Sequence, residues 1–279
     1  MIFTSFASGS SGNCTFFASG STKLLIDCGI SAKRIGDCLR ALGLSLSDLD
    51  AVLLTHEHSD HIKGLKRLMS AYDIPVYASE GTLSALFQAT RDEYFRYAGG
   101  ALMHPVSADS EFRIKDAEVC PFRVYHDSAS PLGFRIEARD SGASALTPSS
   151  FRTVCVATDT GYFDDYIRDH LLYSDAALIE ANHDRAMLAG GKYPLYLKRR
   201  IMSRTGHLCN NQTGKLISEI MSPRLKHVLL GHLSRENNTP GLALETVQKE
   251  IKLALGDDML KKIDISVAPQ DGMSALVEL

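Results

Sequence analysis

The sequence predicts an α/β protein in which two β-sheets, each covered by helices, form a single domain over residues 1–279. Three observations carry that expectation. Short strand candidates stand at both ends of the chain, and stretches with helical spacing are interspersed between them. No internal repeat, low-complexity tract or linker divides the chain. A chain of 279 residues is long enough for one large domain or two small ones, and buries roughly three quarters of its unfolded surface.

Taken in order, FTSF, CTFF and KLLID read as strands separated by the Gly/Ser turns SGSSGN and SGST. SAKRIGDCLRALGL has helical spacing, with Ser31 placed as its N-cap. AVLLT is a buried strand, IKGLKRLMSAY a helix, IPVYAS a strand and EGTLSALFQA a helix. From residue 104 to 158 the pattern is mostly β, through FRIKD, EVCPFRVYH, LGFRIEA and TVCVATD. A helix over 164–172 follows, then the strand AALIEA and helices near 194–203 and 211–221. HVLLGH is a strand, GLALETVQKEIKLAL a helix, and DISVAP and SALVEL close the chain as strands.

Composition excludes several classes. Apolar residues make up 44% and charged residues 23%, ordinary for a globular protein. No apolar run approaches the roughly 18 residues that span a bilayer. MIFTSFASGSSGN has neither a basic n-region nor an apolar h-region, and the six cysteines (14, 28, 38, 120, 155, 209) contain no C-x-x-C pair. The expectation is a cytoplasmic protein with reduced thiols and no membrane partner, in which Cys28 and Cys155 are core residues. The net charge of −3 hides an asymmetry. Between Lys192 and Arg235 nine basic residues stand against the single acid Glu219, a local +8 that leaves −11 on the remainder.

THEHSDH, residues 55–61, crowds His56, His58, Asp60 and His61 onto the turn between a strand and a helix. Imidazole nitrogens and a carboxylate suit zinc, manganese or iron, and clustered there without an ion they would gain little. His126, Asp159 and His232 each stand where an apolar strand gives way to a loop, the usual place for active-site residues on an α/β scaffold.

H-x-H-x-D-H with a later His, a later Asp and a final His resembles the metallo-β-lactamase superfamily over essentially the whole chain. The resemblance implies an αβ/βα sandwich, two central mixed sheets flanked by helices, with a dinuclear site along one edge. It implies two divalent ions, Zn or Mn. His56, His58 and His126 would hold the first, Asp60, His61 and His232 the second, and Asp159 would bridge them. Asp27 in LLIDCG matches the aspartate that props the family's histidine loop.

Within that superfamily, His58 stands where the diiron flavoproteins have Glu, and no cysteine occupies the second site. ALIEANHD, RTGHLCNNQTGKLI and LGHLSRENNTP resemble RNase Z-like nucleases. The likeness is closer to the YycJ/WalJ-type exonucleases, which share SGSSGN and THEHSDHIKG. That resemblance implies hydrolysis of nucleic-acid phosphodiester bonds, with Asp60 orienting the attacking water and His207, held by Glu180, serving the leaving group. The long arm with which RNase Z grips tRNA has no counterpart, so tRNA 3′ processing is not implied. Lys198, Arg199 and Arg200 in the basic segment are then expected on the substrate backbone. His183 is expected near the scissile phosphate, and Ser11 and Asn13 of the first turn at a second phosphate. Two other enzyme classes fit the metal motif: thioester or lactone hydrolysis of the glyoxalase II kind, and diiron redox chemistry. The basic segment and the Glu180/His207 pair favour nucleic acid over both.

Overall fold

The computed structural model describes residues 1–95, 100–139 and 150–279. Among the described residues the chain forms two mixed sheets of seven strands each, with helices between the parallel strands. It divides into two compact units. The first contains 1–123, 128–152 and 269–279, and the second contains 124–127 and 153–268.

In the first unit, β1 (Ile2–Ala7), β2 (Cys14–Ser19) and β3 (Thr22–Ile26) form an antiparallel meander. Gly20 and Ser21 close the second hairpin, and the glycine takes φ +54°, which a two-residue connection favours. The pairing then turns parallel through β4 (Ala51–Leu53), β5 (Val76–Ser79) and β6 (Met103–Val106). Parallel neighbours need crossovers, and helices supply them. These are α1 (Ala32–Ala41), α2 (Ser59–Ile62) with α3 (Leu65–Tyr72), and α4 (Glu80–Thr90). Ser31 caps α1 as expected, its hydroxyl accepting from Arg34 N at 3.3 Å. β14 (Val277–Glu278) adds to the edge beside β1, so the sheet order is β14-β1-β2-β3-β4-β5-β6. Phe6, Phe16, Leu25, Val52, Leu65 and Val76 lie in one buried cluster.

The second sheet has the order β13-β12-β11-β10-β9-β8-β7. β7 (Phe112–Ile114), β8 (Ala117–Arg123) and β9 (Leu132–Arg139) are antiparallel. β10 (Phe151–Ala157), β11 (Ala176–Glu180), β12 (His227–Gly231) and β13 (Asp264–Val267) are parallel. In the second unit α5 (Asp165–Leu171) joins β10 to β11. The β11–β12 crossover carries α6 (Arg185–Gly190), α7 (Leu195–Ile201) and α8 (Asn210–Ile220). α9 (Pro240–Leu255) and α10 (Asp257–Leu260) lead to β13. β11 is buried throughout, and β10 and β12 are buried beyond their first residues, so these three read as continuous apolar runs.

Two departures from the sequence reading have clear causes. The helix expected over IKGLKRLMSAY is broken at Gly64, whose N–H donates to Cys28 O at 2.8 Å and where a Cβ would meet Ile30 O at 2.6 Å. The segment after β3 is laid against the break. α6 was hidden in a loop-like stretch, and Asp184 starts it by accepting from Met187 N at 2.8 Å.

Three segments of the first unit are stitched together at that point. Asn13 N donates to Asp60 O at 2.8 Å, Gly29 N to Asn13 O at 2.7 Å, and Cys28 N to His61 O at 2.9 Å. Gly29 is required by this approach, since a Cβ there would lie 1.5 Å from Asp60 O. Gly29→Ala should therefore lower the unfolding free energy by about 3 kcal/mol, measured by denaturant titration, because a backbone atom has to move. A variant as stable as the wild type would show that the contact is slack.

Candidate active site

The histidine loop of the first unit is organised by one carboxylate. β3 ends at Ile26, and Asp27 takes the left-handed φ of 60°, which turns its buried side chain back under the loop after β4. Thr55 N donates to Asp27 Oδ1 at 2.8 Å, and the Thr55 hydroxyl lies 2.8 Å from Oδ2. His61 Nδ1 donates to Asp27 Oδ2 at 2.7 Å, and His56 Nδ1 donates to Thr55 Oγ1 at 3.0 Å. An imidazole whose Nδ1 carries the proton keeps a lone pair on Nε2. His56 and His61 are thereby held with Nε2 as the available nitrogen, their rings 4.1 Å apart, and the His58 ring lies 4.6 Å from that of His56. Asp60 Oδ2 lies 3.6 Å from His61 Nε2. Asn13 Nδ2 donates to both, at 3.2 Å and 3.0 Å, while its Oδ1 accepts from Gly9 N at 2.8 Å. The amide N–H thus presents positive charge to the two lone pairs a cation would use.

The second unit repeats the device with a different carboxylate. Glu180, the fully buried last residue of β11, accepts from His207 Nδ1 at 2.6 Å and from His232 Nδ1 at 3.1 Å through Oε1. Its Oε2 accepts from the N–H groups of Thr160 at 3.0 Å and Leu208 at 3.2 Å. Burial pushes the Glu180 carboxyl up, but the His207 charge and the imidazole hydrogen bonds outweigh it and hold the group below its ordinary value. Asp159 and His232 follow β10 and β12 in left-handed backbone, at φ 54° and 53°. Asp159, Glu180, His207 and His232 offer ligand atoms that all lie within 4.8 Å of one another. His126 Nδ1 donates to Gly206 O at 3.2 Å, and its Nε2 lies 3.8 Å from Asp159 Oδ1. Burial pushes His126 down, against the opposing pull of Asp159, so it favours the neutral imidazole.

These features are those of a known family. The sequence profile of the beta-lactamase superfamily domain matches residues 22–232. The chain belongs to that superfamily. It is 34% identical over 254 residues to exodeoxyribonuclease YycJ of Bacillus anthracis, covering 90% of this chain and 89% of that one. To exodeoxyribonuclease WalJ of Streptococcus pneumoniae it is 35% identical over 248 residues, covering 89% and 87%. The metallo-beta-lactamase fold protein YhfI of Bacillus subtilis shares the fold, with a TM-score of 0.66 at 17% identity over 98% of both chains.

The donor set suits the divalent metals of this superfamily. In both units, imidazoles with Nδ1 committed to oxygen stand beside carboxylates, the pattern that fixes a metal-binding tautomer. Divalent ions fit such nitrogen and oxygen donors without a thiolate. Thr55, Asn182 and Thr213 support the site and were not singled out from the sequence. Asn182 Nδ2 donates to His232 O at 2.9 Å, and the Thr213 hydroxyl donates to Glu180 O at 2.5 Å. Their only sequence signal is adjacency, since Thr55 precedes the first histidine and Asn182 sits inside ALIEANHD.

The remaining expected residues are placed unevenly. His183 is buried, and burial pushes it down to about 4, which leaves it neutral near pH 7 despite the opposing pull of Glu180. Lys198, Arg199 and Arg200 all lie on α7. Lys198 Nζ donates to Ala189 O at 2.7 Å, and Arg200 forms a two-pronged ion pair with Asp127 at 2.5 and 3.0 Å. Arg199 is exposed. Ser11 is exposed on the first turn, whereas Asn13 is buried against Asp60 and His61.

Removing the charge of Asp27 should test the tautomer argument. Asp27→Asn is expected to keep its fold and to lower metal affinity about 10–100-fold, measured by competition with a chromophoric chelator. Unchanged affinity would mean that His61 needs no carboxylate to present Nε2.

Proposed function

We propose that this protein is a divalent-metal-dependent exonuclease that hydrolyses phosphodiester bonds of DNA. The observation that carries the proposal is the Glu180–His207 pair beside Asp159 and His232. It supplies a positioned proton donor next to a metal-binding set, as removal of a sugar alkoxide requires. Two relatives that match about nine tenths of the chain are named exodeoxyribonucleases, which supports DNA as the substrate. His56, His58 and His126 would hold one ion and Asp60, His61 and His232 a second, with Asp159 available to both. The residues of both units then act as one catalytic domain.

Bound divalent ions supply Lewis acidity, polarising a phosphoryl oxygen and making water a stronger nucleophile near neutral pH. The chain's own groups do the rest. Asp60 orients the attacking water by accepting one of its hydrogen bonds. His207, fixed through Nδ1 by Glu180, gives its Nε2 proton to the sugar oxygen as the P–O bond breaks. His183, neutral near pH 7, donates a hydrogen bond to a non-bridging phosphate oxygen. Arg199, whose α7 neighbours Lys198 and Arg200 are engaged within the protein, meets the substrate backbone. We assign the protein to the cytoplasm. The six cysteines form no disulfide, and no helix among the described residues is long and apolar enough to cross a membrane.

Two outcomes test this reading. Protein purified without chelators should carry close to two Zn or Mn ions per chain, and Asp159→Ala should lose most of both; one ion per chain in a fully active protein would contradict the assignment. His207→Ala should retain its metals and cleave an oligonucleotide roughly 10²–10⁴-fold more slowly. Its defect on bis-p-nitrophenyl phosphate should be far smaller, because p-nitrophenolate departs without a proton. Equal defects on both substrates would remove His207 from the leaving-group role.

A further inference from the structure

The first unit carries a cationic surface that the charge distribution along the sequence does not reveal. Asp60 lines a groove of about 600 Å³ whose rim holds Ser10, Ser11, Lys63 and Lys66 and whose wall includes Ile62 and Phe95. Ile62 and Phe95 are 8% and 6% exposed, so they form an apolar floor, while both lysines are exposed. Lys66 is paired with Asp92 at 2.7 Å. Lys63 has no ion-pair partner among the described residues, and it also lines a second groove of about 520 Å³ with Lys33, Arg40 and Arg67. Of these, Arg40 is paired with Asp37, whereas Lys33 and Arg67 have no acidic partner among the described residues.

We propose that these two adjoining grooves hold the substrate strand, an inference that rests on the nuclease reading. The nucleotide nearest Asp60 places its base against Ile62 and Phe95 and its phosphate on Lys63 and the Ser11 hydroxyl. The next phosphates along the strand lie on Lys33 and Arg67. The chemistry selects this occupant. Volumes of this size suit small-molecule sites, which span roughly 300–1,000 Å³. An apolar floor beside hydroxyls matches a base with a polar edge. Lys33, Lys63 and Arg67, three cations without acidic partners among the described residues, line one groove of a chain of net charge −3, which suits a polyanion. The sequence concealed this surface because the six cations of 33–67 stand in two separate groups with the five acids Asp37, Asp48, Asp50, Glu57 and Asp60 among them, so the segment as a whole is nearly neutral.

The test is binding of a fluorescent, phosphorothioate-linked single-stranded DNA to the metal-loaded protein, read by anisotropy across a salt series. The Lys63→Gln/Arg67→Gln double variant should bind about tenfold more weakly. Its plot of log affinity against log salt should flatten by about 0.7 for each lost contact. Lys33→Gln, on a different helix and so independent of any local damage near the histidine loop, should flatten the plot by one contact. Lys63→Arg should bind within about twofold of wild type, and Lys249→Gln on α9 should bind as wild type does. Unchanged affinity and slope in the double variant, or an equal loss in Lys249→Gln, would overturn the proposal. Cleavage of the same sequence with ordinary linkages, run in parallel, separates the two readings. Wild type that binds through the grooves and does not cleave defeats the nuclease reading alone. Wild type that cleaves while binding ignores the grooves defeats the groove alone.

Discussion

Both histidine clusters, one in each unit, depend on a buried carboxylate that accepts hydrogen bonds from imidazole Nδ1–H. Asp27 holds His61 directly and His56 through the Thr55 hydroxyl, and Glu180 holds His207 and His232 together. A buried carboxylate without partners would be costly, so each is satisfied on every side, Asp27 also by Thr55 N and Glu180 by two backbone N–H groups. The consequence is chemical: a histidine that cannot release its Nδ1 proton offers Nε2 to whatever stands in front of it.

Placement of these carboxylates is the work of the sheets. Asp27 and Glu180 stand at the ends of β3 and β11, and Asp159 and His232 follow β10 and β12. Asp27, Asp159 and His232 adopt positive φ, a conformation sparsely used by residues other than glycine. Such strain persists only where the surroundings over-determine it. Here rigid buried strands on one side and a hydrogen-bonded loop on the other do so. Close backbone approach serves the same end at Gly29, which lets Asn13, Asp60 and the segment after β3 share one set of hydrogen bonds.

Much of this was legible in the sequence, for stated physical reasons. THEHSDH is so dense in ligands that only metal chemistry makes sense of it. LLIDCG, TVCVATD, AALIEA and HVLLGH announce buried strands by continuous apolar runs, which fixes the polar residue that ends each one. Asp27 and the Glu180–His207 pairing were identified by the family resemblance and are hydrogen-bonded to the histidines in the structure. What stayed hidden was set by tertiary contact. No local pattern says that Asn13 reaches Asp60 and His61, or that Glu180 serves His232 as well as His207. Arg200 and Lys198, expected on the substrate backbone, are instead engaged by Asp127, 73 residues away, and by Ala189 O, nine residues away. The break at Gly64 was invisible because both flanking segments keep helical spacing.

The most direct test of the account is the tautomeric state of these histidines in the metal-free protein, read from imidazole nitrogen chemical shifts by NMR at neutral pH. The account predicts that His61, His126 and His232 carry the proton on Nδ1 before any ion is added. It also predicts that Asp27→Asn releases His61 from that state while leaving His232 in it. Protonation of His61 and His232 on Nε2 in the wild type would contradict the claim that Asp27 and Glu180 prepare the site.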